Sequence, residues 1–215
     1  MAMRRISRTT WAVIVVWVVF ASWILAGIWF TRGAGGAYRV TERHDGYELR
    51  TYAPRLVAEV DVAGSWSAAV SDGADALTRY FRGDNIRQEA AAMAGTSVGA
   101  GASSEAIAHS FALGIREEGG TVALTADVPA SYTVVTLPRP NDARIRIVEV
   151  PEETVAVRGF RGPLDSARSL AAQNELSGLL DADGRAIIGP ASVTAYSPSW
   201  VPPFLQRDEV MVPVR

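Results

Sequence analysis

The chain has no cysteine and no lysine, and only two histidines, His44 and His109. Without cysteine, disulfides, thiolate metal sites and a cysteine nucleophile are excluded, and the compartment stays open. All 21 cationic side chains are arginines, which reads as a compositional bias of an Ala-, Gly- and Val-rich sequence. The formal net charge is −2 and no basic stripe is present, so the sequence makes no case for a nucleic-acid partner. HExxH, GxSxG, Walker and Rossmann glycine patterns are all missing, and nothing in the residues points to catalysis. The stretch DADGR (181–185) carries part of a calcium-loop pattern but lacks its final glutamate, and is read as a glycine-capped helix end. The acid pairs Glu117-Glu118 and Glu152-Glu153 are expected in solvated loops.

What is present begins with a charge-free apolar run, WAVIVVWVVFASWILAGIWF, over residues 11–30. Twenty helical residues span about 30 Å, the thickness of a bilayer core. Aromatic residues stand at both ends, where interfacial belts form, and Arg4, Arg5 and Arg8 precede the run. The expectation is a single-pass anchor in the cell membrane, after a short cytoplasmic N-terminus (1–10), with the following domain extracytoplasmic. A cleaved signal peptide or a buried helix would be the competing reading. A Gly-rich linker (31–37) leads to a folded domain, 38–215.

The domain contains an internal echo. VAEVDVAG (57–64) and VAVRGFRG (155–162) share their spacing, and each follows an alternating strand-like stretch and a proline: YELRTYAP (47–54) and RIRIVEVP (144–151). A helical segment follows each: Ser65 to Arg82, with Trp66, Val70, Leu77 and Phe81 on one stripe, and Leu164 to Leu180, with Leu164, Leu170, Leu176 and Leu180 along one face. Extended returns are expected over 90–98 and 121–125, then 187–196 and 209–214, with 99–120 as a long variable loop. The fold class is therefore α+β: a twisted antiparallel sheet, closed or nearly so, with two helices packed against it, one in each half. Such a pair of halves leaves a cleft near its pseudo-twofold axis. The proline-aromatic stretch YSPSWVPPFLQRDEV (196–210) cannot be helical. It is expected to carry the chain back to a last strand, with Arg207, Asp208 and Glu209 at that strand's start.

Four stretches in order, YELRTYAPRLVAEV (47–60), RYFRGDN (79–85), YTVVTLPRPNDARIRIVEVPEETVAVRGFRG (132–162) and AYSPSWVPPFLQRDEVMVPV (195–214), resemble motifs of the SOUL haem-binding protein family. The resemblance covers nearly all of 38–215 and implies a distorted antiparallel β-barrel of two pseudo-repeats with two helices, which binds haem or another tetrapyrrole non-covalently in an apolar cleft beside the first helix. Three departures stand out. An Ala-Met-Thr-x-Pro-Val strand is reduced to AAMAGTSV (91–98), retaining Met93; a histidine of some members is Thr51; and Gln206 and Asp208 replace the usual Arg and Asn.

A porphyrin is flat and apolar with two carboxylates, so it needs an aromatic-rich groove with cations at the rim. On the first helix, Trp66, Val70, Leu77 and Phe81 are candidates for apolar contact, and Arg79 and Arg82 for the propionates, with Met93 nearby. The same apolar spacing also describes plain core. His109 is the candidate iron ligand, with Met93 and Tyr52 chemically possible; His44 sits in a polar turn and reads as a surface residue. The function expected is a membrane-tethered tetrapyrrole-binding module. The alternative is a module for another amphipathic small molecule, like the effector-binding domains of transcriptional regulators.

Overall fold

The computed structural model describes residues 17–23, 38–88, 104–109, 112–196 and 206–215, together with Trp11, Ile14, Val15 and Val201. Residues 17–23, inside the expected anchor, are helical, but among the described residues no helix is long and apolar enough to cross a membrane. The linker, Met93, Trp200 and Phe204 lie outside the described residues.

Among the described residues the domain is one nine-stranded antiparallel sheet with two helices packed on one face, plus a two-stranded ribbon. In chain order the strands are β1 (Tyr38–His44), β2 (Tyr47–Tyr52), β3 (Arg55–Ala63), β4 (Asn85–Ile86), β5 (Leu113–Glu118), β6 (Thr121–Asp127), β7 (Arg139–Pro140), β8 (Ile145–Val150), β9 (Glu153–Arg161), β10 (Ser192–Ala195) and β11 (Arg207–Pro213). The helices are α1 (Trp66–Phe81) and α2 (Ser166–Ala182). The sheet order is β1-β2-β9-β11-β10-β5-β6-β3-β8. The sheet ends in two edges, β1 and β8, so the barrel expected to be closed or nearly so is an open, curled half-barrel.

The repeat is written into this order. Adding 98 to the bounds of β2 and β3 gives those of β8 and β9. Leaving out β1, the order reads the same from either end when each strand is exchanged for its counterpart in the other half. The pseudo-twofold axis therefore passes between β5 and β10, where the counterparts Ile115 and Val193 pair with each other. β2 does not pair with β3, the strand it precedes, but with β9 of the second half, and β8 pairs with β3. The two halves exchange their first strands, each through a two-residue link containing a proline, Ala53-Pro54 and Pro151-Glu152. Proline suits these links because it holds the chain extended and prevents a tight hairpin register.

Curling brings distant strands together. β3 and β9 are five places apart in the sheet, about 24 Å if it were flat. Yet Arg55 at the start of β3 donates to Glu153 at the start of β9 at 2.7 Å. These two residues are counterparts in the repeat. Glu153 is thus not in a solvated loop as expected, and Glu117 and Glu118 end strand β5, although both are exposed. The short strand β5 corrects part of the expected loop 99–120; its glycine and charges obscure the alternation.

α1 packs on β3, β5 and β6, with Leu77, Tyr80 and Phe81 buried against Val60, Val122 and Leu124. Gly73 permits the close approach, since a Cβ there would lie 2.5 Å from Leu124. α2 packs on β9 and β11 through Leu176 and Leu180. Its expected stripe is corrected at both other positions. Leu170 is exposed, with Ser169 and Ala172 buried in its place, and Leu164 precedes the helix. Asp165 caps the helix by accepting from the Arg168 amide at 2.8 Å. At the far end Gly184 takes a positive φ of 67°, as expected for DADGR.

One buried ion pair joins the family-like motifs at the two ends of the domain. Arg50 of β2 donates through both Nη atoms to Glu209 of β11, at 2.6 and 2.9 Å, and through Nε to Glu48 at 2.6 Å. Tyr196 donates to the same Glu209 at 2.8 Å. Both charged partners are nearly sealed from solvent. Arg50→Ala would leave Glu209 buried without its cation and should lower the unfolding free energy in urea by about 3–5 kcal/mol. The double replacement Arg50→Met with Glu209→Leu should lose less, and Arg146→Ala, which breaks an exposed pair with Glu59 and Asp61, should barely move the midpoint. An Arg50→Ala midpoint indistinguishable from that of Arg146→Ala would remove the pair from the account of stability.

Candidate functional site

Two concavities flank the β5–β10 seam, on opposite faces of the sheet. The one on the helix face is a groove of about 640 Å³ between α1, the seam and the approach to α2. Trp66, Val70, Leu77 and Phe81 form its α1 wall, so the stripe read from sequence does face a cavity. Leu77 and Phe81 are also almost wholly buried, hence core and lining at once, while Trp66 and Val70 are half-buried. Leu113 and Ile115 of β5 and Ala195 of β10 supply the floor. Pro163 and Leu164 close the far side.

The polar rim divides the expected residues. Arg82, the residue capping the C-terminal end of α1, lines the groove. Arg79 does not: it is exposed and faces Asp142 at 4.0 Å, on the side of the helix away from the cavity. The three-residue step between them, about 300° of helical rotation, would place them near each other only if the helix continued past Phe81, and it does not.

His109 lines the groove, its ring stacked on Phe81 with centroids 4.5 Å apart and planes 19° from parallel. It is held there by the RYFRGDN motif. Asn85 is buried and donates to the carbonyls of Tyr80 at 2.9 Å and Glu105 at 2.8 Å, and accepts from the Glu105 amide at 3.0 Å. The Ile107 amide then donates to the Phe81 carbonyl at 2.8 Å. The segment before β5 is thereby fastened to the end of α1. Burial, reinforced by the nearby Arg82 charge, pushes the His109 pKa down, which keeps the imidazole neutral. A neutral imidazole is the form that ligates a metal.

The other candidates for axial ligation fall elsewhere. Thr51, the histidine position of some family members, meets Thr154 at 3.2 Å and does not line the groove. Tyr52 faces the opposite concavity. His44 stacks on Tyr47 beside Glu42 and Asp183, far along β1. Among the described residues no group of three or more His, Asp and Glu side chains could hold a metal ion.

The feature that apolar periodicity did not reveal is Asp208. It lies on β11 at the groove wall, 2% exposed, and accepts from the Tyr196 backbone amide. Burial pushes its carboxyl up to about 6. Asp75 and Gln206 also line the groove. Sequence did carry a signal here, since Gln206 and Asp208 are two of the departures from the family pattern.

Because the folded pKa of Asp208 is raised, its favourable contribution is full below the unfolded value near 4 and is lost as pH rises through about 6. Asp208→Asn removes the charge and keeps the shape. It should leave stability near pH 4 almost unchanged and raise it at pH 8, by on the order of 2 kcal/mol. Urea unfolding at the two pH values checks this. An equal effect at both would show that the carboxyl does not titrate with folding.

The fold has solved relatives. The C-terminal domain of EcmrR superposes with a TM-score of 0.55 at 12% identity, covering 83% of this chain and 98% of that one. A structure described as a hydrolase from Listeria innocua gives 0.52 at 13% identity, covering 81% and 94%. An uncharacterised conserved protein from Listeria innocua gives 0.52 at 14%, covering 79% and 92%. At such identities the likeness is one of fold alone. No curated protein matches the chain. The sequence model described as SOUL heme-binding protein, by contrast, matches residues 36–213, nearly the whole length beyond the apolar run. With the four motifs, the duplicated strand order and the groove beside the first helix, the chain belongs to the SOUL heme-binding protein family.

Proposed function

We propose that the α1 groove binds a flat, largely apolar tetrapyrrole such as haem, and that the protein is a binding module and not a catalyst. The observation that carries this reading is the stacked Phe81–His109 pair inside an apolar groove of about 640 Å³. An aromatic wall suits the macrocycle face, a neutral imidazole suits the iron, and Arg82 suits one propionate. His109 would hold the metal; Trp66 and Val70 would hold the ring. Haem bound here would supply a redox-active or gas-binding iron, and the protein's part would be to seat it and exclude water. Residues 11–30 are read as the tether of this module to a membrane, with the domain outside. The charge-free, aromatic-flanked run supports that reading.

A second reading rests on Asp208. A carboxyl in the groove wall, with Asp75 near it, disfavours a ligand with two carboxylates and favours one bearing a hydrogen-bond donor or a positive charge. In that case the groove would take an amphipathic amine or alcohol.

Soret titration of the full-length chain with haem separates the two. Saturation near one equivalent is expected, with affinity falling about tenfold in Trp66→Ala, a loss of roughly 1.4 kcal/mol. His109→Ala should shift the Soret maximum. A linear response like that of an unrelated protein would discard the haem reading in favour of the second. The tether is checked by alkaline carbonate extraction of membranes: the chain should stay in the pellet, and recovery in the supernatant would refute it.

A further inference from the structure

At one end of the sheet, strand pairing sets several strand termini in a single row. Tyr38, the first residue of β1, is level with Tyr52, the last of β2, and Tyr52 with Glu153, the first of β9. Next to Glu153, the Thr154 carbonyl accepts from the Val214 amide at 3.1 Å, just past the end of β11. Val214 bridges in turn to Ile187. Ile187 is thus about four strand spacings from β1, roughly 19 Å across a flat sheet and less across a curled one.

The far end of this row is an apolar strip on the surface. Residues 186–192 carry no charge, and Ala186, Ile187, Ile188 and Pro190 are all exposed. Ile188 is 55% open to solvent and Ile187 41%. Backbone bonds to the end of the chain hold the strip in place. The Ile188 amide donates to the Pro213 carbonyl and the Arg215 amide to the Ala186 carbonyl, both at 3.0 Å. An extended segment ordinarily turns alternate side chains to the core, so two exposed isoleucines in succession are a surface feature. At the near end of the row Tyr38 is exposed as well. Its ring packs on Tyr52, with centroids 5.4 Å apart, and lies under the Arg50 guanidinium at 4.2 Å.

The chain before Tyr38 says what covers this surface. The charge-free apolar run ends at Phe30, and the seven residues of the Gly-rich linker reach at most about 25 Å when fully extended. A domain of this length is about 40 Å across. Anchored through the run, it must therefore present its Tyr38 end to the bilayer, and the strip lies within the linker's reach of Tyr38. Tyrosine and exposed apolar side chains partition into the headgroup region, and Arg39, exposed beside Tyr38, suits the lipid phosphates.

We propose, on the reading of residues 11–30 as a tether, that the 186–190 strip is a second membrane contact, seated in the headgroup region of the same bilayer. A linker alone leaves the domain free to swing. Two contacts on one row fix which end of it faces the lipid. Because the tether keeps the strip close to the surface, a weak apolar contact is enough.

The cysteine-free sequence allows a direct test. Ile188→Cys, Val135→Cys and Leu170→Cys, each in the whole chain, are labelled with an environment-sensitive fluorophore and reconstituted into phosphatidylcholine vesicles. All three wild-type side chains are well exposed, so the substitutions spare the core. Vesicle flotation first reports the tether. Emission from position 188 should shift to the blue and fall by about half with lipid spin-labelled near its headgroup, while positions 135 and 170 stay water-like. Ile187→Asp, added to the Ile188→Cys chain, should remove most of that quenching without moving the thermal midpoint. Flotation with position 188 unquenched would overturn the contact and leave the tether standing; failure to float would overturn both. A blue shift at 188 without lipid quenching would mean burial against a protein partner or a second copy, and quenching at 135 or 170 instead would mean another face. Either result would also overturn the proposal.

Discussion

Everything in the domain depends on two crossings of the chain, Ala53-Pro54 and Pro151-Glu152. A strand followed after two residues by another would ordinarily fold back as a hairpin. Here each first strand is carried to the opposite half, so neither half owns a complete set of hydrogen bonds. β9 is flanked by β2 and β11, one from each repeat, and β3 by β8 and β6 in the same way. The exchange makes the two halves one cooperative sheet. It forces the sheet to curl until Arg55 reaches Glu153. The curl in turn creates a convex face that the helices cover and a concave face that they leave open.

The same geometry gives the end of the chain a central place. The run from Tyr196 leads into β11, which sits between β9 and β10 and receives Arg50 on Glu209. The last strand is therefore not peripheral: it lies inside the sheet, and the long-range pair to β2 spans 159 positions. Such a contact forms only after both repeats are in place, because loop closure over that length must precede it. Val201 is buried and its carbonyl accepts from the Gln206 side chain, just ahead of this strand.

Much of this was legible in the sequence where burial is one-sided. β2 and β8 show in the alternation of their residues, while β3 and β9, buried on both faces at Val57–Ala58 and Val155–Val157, show in the duplicated spacing. α1 was legible because its burial is one-sided. α2 was legible as a helix, but its face only in part, because the surface leucine Leu170 mimics a stripe position that the buried Ser169 and Ala172 supply. β1 and β5 escaped as well: β1 is an exposed edge, and β5 holds Gly114 beneath the Thr125 hydroxyl, where no side chain marks the pattern. The groove's apolar wall could be read from helical spacing. Its carboxylate showed only as a departure from the family pattern, since Asp208 lies 127 residues beyond the end of the helix whose groove it lines, and only folding brings the two together. Arg79 misled because the helix stops at Phe81, so Arg82 leaves the helical path and does not share a face with it.

The Arg55–Glu153 pair bears on the history of the duplication. In a dimer of two identical halves, the residue on the axis meets its own copy: arginine would face arginine, or glutamate would face glutamate. Opposite charges at one equivalent position are available only to halves free to differ, that is, to two copies fused in a single chain. With that pair in place neither half can be exchanged for a second copy of the other without placing like charges 3 Å apart, roughly, in a partly desolvated cleft. A contact that helps hold the curl therefore also fixes the asymmetry of the repeat.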